Sequence, residues 1–113
     1  MVTPSAGSIV TVRFPFSDLS QSKLRPAVVL ADAGRSDWVL CQITSKSYAD
    51  PNAVELANED FASGALSLTS YARPGKLFTA NVSLMATRVG TLKNDAFRQV
   101  AGAVVNLLQS HIP

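Results

Sequence analysis

A chain of 113 residues has room for one domain around one hydrophobic core, since single domains commonly run to about 100–150 residues. Its 47% apolar and 16% charged residues exclude a disordered segment, and its longest apolar run, Ala27-Val28-Val29-Leu30-Ala31, falls far short of the roughly 20 residues of a membrane span. Ten Lys and Arg against eight Asp and Glu give +2, a balance that permits a polyanionic partner without requiring one. Met1-Val2-Thr3-Pro4-Ser5 carries no basic or apolar leader pattern, so a cytoplasmic location without a membrane is expected.

The elements in chain order are mostly short strands. Ile9 to Phe14 is β-branched and aromatic and ends at Pro15, which cannot donate to a ladder. Pro26 opens a second strand, with Ala27 to Leu30 apolar on both faces and Gly34 at the following turn. Trp38 to Thr44 is the third. Val54-Glu55-Leu56, Leu66 to Tyr71, Lys76 to Thr79 and Ser83 to Val89 supply the rest, with Arg73 and Lys76 flanking a Pro74-Gly75 turn. Ala96, Phe97, Val100, Ala101, Val104, Leu107 and Leu108 then recur at three- and four-residue steps, one face of a helix whose starting residue is left open, since Lys93 at the N-cap would be a poor cap. Leu92 and Phe97 would staple its start. A mainly β, small barrel or sandwich closed by one C-terminal helix is the expected architecture.

One cysteine, Cys41, and one histidine, His111, leave no Cys/His metal cluster and no histidine pair for acid–base work. No metal or other cofactor is therefore expected. Cys41, within an apolar strand, reads as a core side chain. Arg25 stands between the polar loop Ser17–Lys23 and the second strand, where its guanidinium either grips phosphate oxygens or pairs with Asp18 at the surface. Gln42, Thr44 and Lys46 alternate onto one face. If the second and third strands are neighbours, Thr44 and Arg25 converge on a polar pocket; otherwise Thr44 is an ordinary strand residue. Tyr71, Arg73 and Lys76 form either a base-and-phosphate contact or a solvated turn. Asp50, Glu55, Glu59 and Asp60 match no calcium-loop spacing and are assigned to surface and turns.

Gly7-Ser8-Ile9-Val10, Phe14-Pro15-Phe16, Lys23-Leu24-Arg25-Pro26-Ala27-Val28-Val29 and Gln42-Ile43-Thr44-Ser45 together resemble the MazF/PemK growth-inhibitor toxins. Asp60-Phe61, Ser70 to Pro74 and Lys76-Leu77-Phe78 extend the likeness over nearly the whole chain. The resemblance implies an SH3-like barrel of the PemK/CcdB type, a homodimer, a cognate antitoxin and metal-independent, sequence-selective cleavage of single-stranded RNA. By motif, Arg25 would stabilise phosphorane charge and donate a proton, and Thr44 would position the attacking 2′-hydroxyl. Lys23, Ser45, Lys46, Arg73 and Lys76 would contact RNA. Ser8 replaces the family's usual acid, and Ala72-Arg73 departs from its acidic-glutamine pattern, so base recognition does not transfer. The same barrel also serves DNA gyrase poisons, and a degenerate RNA-binding module is a third reading.

Overall fold

The computed structural model describes residues 2–15, 22–47 and 50–113. Asp18 and most of the polar loop that begins at Ser17 lie outside them. The strands are β1 (Ser8–Pro15), β2 (Ser22–Gly34), β3 (Asp37–Thr44), β4 (Val54–Leu56), β5 (Phe61–Gly64), β6 (Ser70–Asn81) and β7 (Met85–Leu92), followed by helix α1 (Asn94–Gln109). They form one seven-stranded sheet in the order β4-β6-β3-β2-β1-β7-β5, with every pairing antiparallel.

The apolar run in β2 explains why this sheet has two cores. Ala27, Val28 and Val29 are each fully buried, as a strand covered on both faces must be. Val28 joins Ile9, Cys41, Ile43, Leu56, Phe61, Ala72, Leu92, Ala96 and Val100 in a core under the helix. Ala27 and Val29 face the opposite way, into a second core with Val10, Val12, Leu40, Ala80 and Met85. Strands β1, β2 and β3 are therefore held from both sides. Backbone bonds close the structure locally: Gly7 N donates to Val29 O at 2.8 Å, Leu92 N to Gly7 O at 2.9 Å and Lys93 N to Asp60 O at 2.8 Å.

Several expected boundaries shift. β2 begins at Ser22, four residues before Pro26, which sits inside the strand opposite Thr11. The stretch Leu66 to Tyr71 is a strand only at Ser70 and Tyr71, and Ser83 belongs to a short 3-10 turn over Val82–Leu84. Phe61–Gly64 is a strand that periodicity did not reveal. Pro74-Gly75 does not separate two strands. β6 runs through it, and between the pairs Cys41↔Leu77 and Ile43↔Ala72 two steps on β3 span five on β6. The extra residues form a bulge that lets Pro74 avoid the ladder its missing N–H cannot join.

Lys93 is the N-cap of α1, with no side-chain cap bond, and Asp95 in the first turn complements the helix dipole. Leu92 and Phe97 both pack on the same core, as a staple requires. The buried face is shorter than its pattern: Ala96, Val100 and Val104 are buried, but Leu107 is half-buried and Leu108 is 58% exposed. At the far end Ser110 Oγ donates to Leu107 O at 2.7 Å, and His111 Nδ1 lies 3.1 Å from the same carbonyl. The single histidine thus caps the helix C-terminus.

Candidate functional site

The β2–β3 ladder places the two residues of greatest chemical interest. Its regular stretch pairs Ala27 with Gln42, Val28 with Cys41 and Val29 with Leu40. Carried two residues farther, that register sets Arg25 across from Thr44, on one face of the sheet. Pairing stops short of them, next to Pro26, which has no N–H to offer. The β2–β3 ladder ends there, and residues of both strands beyond it line a cleft of about 220 Å³. Arg25, Pro26, Ile43, Thr44, Ser45 and Lys46 line it together with Leu66, Ser67, Leu68 and Ser70.

Among the described residues, the lining holds two cations, three serines and a threonine without a carboxylate, a composition that suits a phosphate group. Arg25 is exposed and anchored by its strand, since Arg25 pairs with Val12 of β1 while Val12 is buried in the second core. Thr44 Oγ1 accepts a hydrogen bond from Lys46 N at 3.2 Å. That bond uses an acceptor site and orients the oxygen, leaving the hydroxyl proton for a second partner. Lys46 follows the end of β3, so its position comes from this turn rather than from strand alternation.

The other expected contacts lie apart. Lys23 is exposed on β2 opposite Phe14, two residues from Arg25, and does not line the cleft. Arg73 and Lys76 sit on the β6 bulge. Arg73 Nε donates to Asp50 Oδ2 at 3.3 Å, and Arg73 O accepts from Cys41 Sγ at 3.0 Å, so the bulge is tied to β3 and to the chain beyond it. Asp50 also accepts from Asn52 N at 2.8 Å, a turn role of the kind expected for the acidic stretch. Burial pushes the Cys41 thiol up to about 12, so it remains protonated and inert at neutral pH. Ser8, the departure from the usual acid, is fully buried, its Oγ accepting from Ser5 N at 3.1 Å.

Leu66, Ser67, Leu68 and Ser70 were missed as site residues because Leu66 and Leu68 alternate like a buried strand. Among the described residues, no group of three or more His, Cys, Asp or Glu gathers to hold a metal ion. No helix among them is long and apolar enough to cross a membrane.

Residues 5–108 match the model of the PemK-like, MazF-like toxins of type II toxin-antitoxin systems. The chain belongs to this family. No curated protein sequence matches it. Among solved structures it is similar to MazF from Deinococcus radiodurans, at 23% identity, with a TM-score of 0.75 over 96% of this chain and 99% of that one. It is similar to the same organism's MazE-MazF complex at 23% identity, TM-score 0.75, covering 96% and 98% of the two chains. A mycobacterial endoribonuclease in complex with its cognate antitoxin shares 16% identity, TM-score 0.75, over 98% and 100%. At such identities the likeness establishes the fold: a curled antiparallel half-barrel with one C-terminal helix, as expected from sequence.

Proposed function

We propose that this toxin is a metal-independent endoribonuclease that cuts single-stranded RNA by attack of a 2′-hydroxyl on the adjacent phosphorus. The observation that carries the reading is the shared cleft of Arg25 and Thr44, with Ser45 and Lys46 beside them. Attack forms the 2′-O–P bond and breaks the P–O5′ bond; the 2′-hydroxyl gives up its proton to solvent and the departing 5′-oxygen takes one from the Arg25 side, so the products are a 2′,3′-cyclic phosphate and a 5′-hydroxyl. Negative charge grows on the phosphoryl oxygens as the phosphorane forms. A guanidinium fork held by a strand stabilises that charge with little reorganisation, the role given to Arg25. Thr44, its oxygen oriented by Lys46 N, positions the attacking 2′-hydroxyl. Lys46 and Ser45 hold the scissile phosphate, and Lys23, Arg73 and Lys76 contact the flanking backbone. DNA, lacking the 2′-hydroxyl, is inert in this scheme.

The similar structures include a MazE-MazF complex and an endoribonuclease with its cognate antitoxin, which supports a cognate antitoxin as the protein partner. The working form is a homodimer. The test incubates end-labelled single-stranded RNA with the protein in excess EDTA, beside Arg25→Ala. Wild type should give discrete 5′-hydroxyl products, and Arg25→Ala, at an exposed position, should fold normally while cleaving about 10²–10³-fold more slowly. Equal cleavage by the two proteins removes Arg25 from the mechanism, and intact RNA with wild type across diverse sequences removes the activity.

A further inference from the structure

We infer that the Leu66–Leu68 wall of the cleft is a nucleobase subsite, where one base next to the cut phosphate packs against Leu68. The inference rests on the ribonuclease reading and adds to it a residue that binds the substrate's base. Leu68 is 64% exposed and lines the same cleft as Arg25, Thr44 and Lys46. The lining thus joins cations and hydroxyls fit for phosphate and ribose to the aliphatic carbon of Leu66 and Leu68, which is fit for a flat, weakly hydrated ring.

The segment is held in place. Ser70 Oγ donates to Leu68 O at 2.9 Å, and Ser70 itself is buried at 5% exposure where β6 begins. Leu66 is half-buried and packs on the core beneath the helix. Leu68 therefore projects from an anchored turn, which lowers the ordering cost of binding against it. The cleft's 220 Å³ lies below the roughly 300–1,000 Å³ of pockets that engulf a whole drug-sized ligand, a size suited to one nucleotide. An aliphatic wall tells bases apart poorly, because it makes no hydrogen bonds to their edges. Ser67, between the two leucines, has the hydroxyl that can add such a bond.

The test measures cleavage of single-stranded RNA oligonucleotides that carry one abasic nucleotide immediately 5′ or 3′ of the cut. Leu68→Ala should slow cleavage of intact RNA about five-fold, the low end of what one stacked base contributes. One of the two abasic positions should slow wild type by a similar factor and leave Leu68→Ala unaffected, because both changes remove one contact. Leu68→Phe should retain or increase the wild-type rate and its sensitivity to the same abasic position. Leu68→Ala cleaving like wild type, or losing a further full factor with both abasic substrates, overturns the subsite while leaving the ribonuclease reading intact. Loss of antitoxin binding by Leu68→Ala with unchanged RNA cleavage overturns it in favour of a peptide contact. Failure of wild type to cleave any RNA overturns both readings, an outcome the Leu68 variants cannot mimic.

Discussion

Cys41 is fully buried between β2 and β6, with its thiol donating to the Arg73 carbonyl. Desolvation is the largest cause of its raised pKa, near 12 against an unfolded value of 9.0. Below pH 9 the thiol is neutral in both folded and unfolded chains. Between pH 9 and 12 the unfolded chain releases a proton that the folded chain keeps, so stability falls as pH rises. The contribution is a slope of about 1.4 kcal/mol per pH unit, and Cys41→Ala should lack it when the two proteins' denaturant curves are compared at pH 8 to 11. Parallel pH profiles would show that the buried thiol titrates normally. Arg25 and Thr44 were nameable from the sequence through the motifs that resemble the toxin family, since an arginine before a proline and a hydroxyl ending an apolar strand also suit a surface and an ordinary strand residue. Leu68 was not, since nothing local distinguishes a leucine that faces a cleft from one that faces a core.

Elements end where their residues can no longer serve the ladder, and glycine decides one such end. Gly64, the last residue of β5, has φ of +69°, a left-handed conformation that L side chains rarely adopt. A Cβ there would also collide with the Val89 carbonyl oxygen on β7, because the two backbones approach so closely. Gly64→Ala should therefore cost about 1–3 kcal/mol, read as a lower denaturation midpoint. Unchanged stability would mean that β5 does not pack against β7 as described. This strand escaped sequence analysis because Phe-Ala-Ser-Gly is brief and lacks β-branched residues. β6 misled for the opposite reason: Pro74-Gly75 is a strong turn signal, but the bulge absorbs it within one strand. The first three strands and the helix were legible, because long apolar or 3.6-period stretches outweigh local ambiguity.

At the scale of the molecule, one sheet separates two cores, with Leu56 in the core under the helix and Leu40 in the other. Strands β1 to β3 contribute to both, so neither core should persist without the other. Leu56→Ala and Leu40→Ala, at residues no more than 1% exposed, should each cost about 2–5 kcal/mol and each leave a single calorimetric transition. Two separated transitions in either variant would show that the cores unfold independently. The sequence by itself determined the class of fold and named Arg25 and Thr44 as candidates, because strand alternation, helical period and side-chain type are properties of short windows. Only the tertiary structure decided that the β2–β3 ladder ends beside Pro26, that Arg25 and Thr44 share a cleft there, and that Leu66 and Leu68 line it with them. Those facts depend on the register between distant strands, which is fixed by the packing of both faces at once.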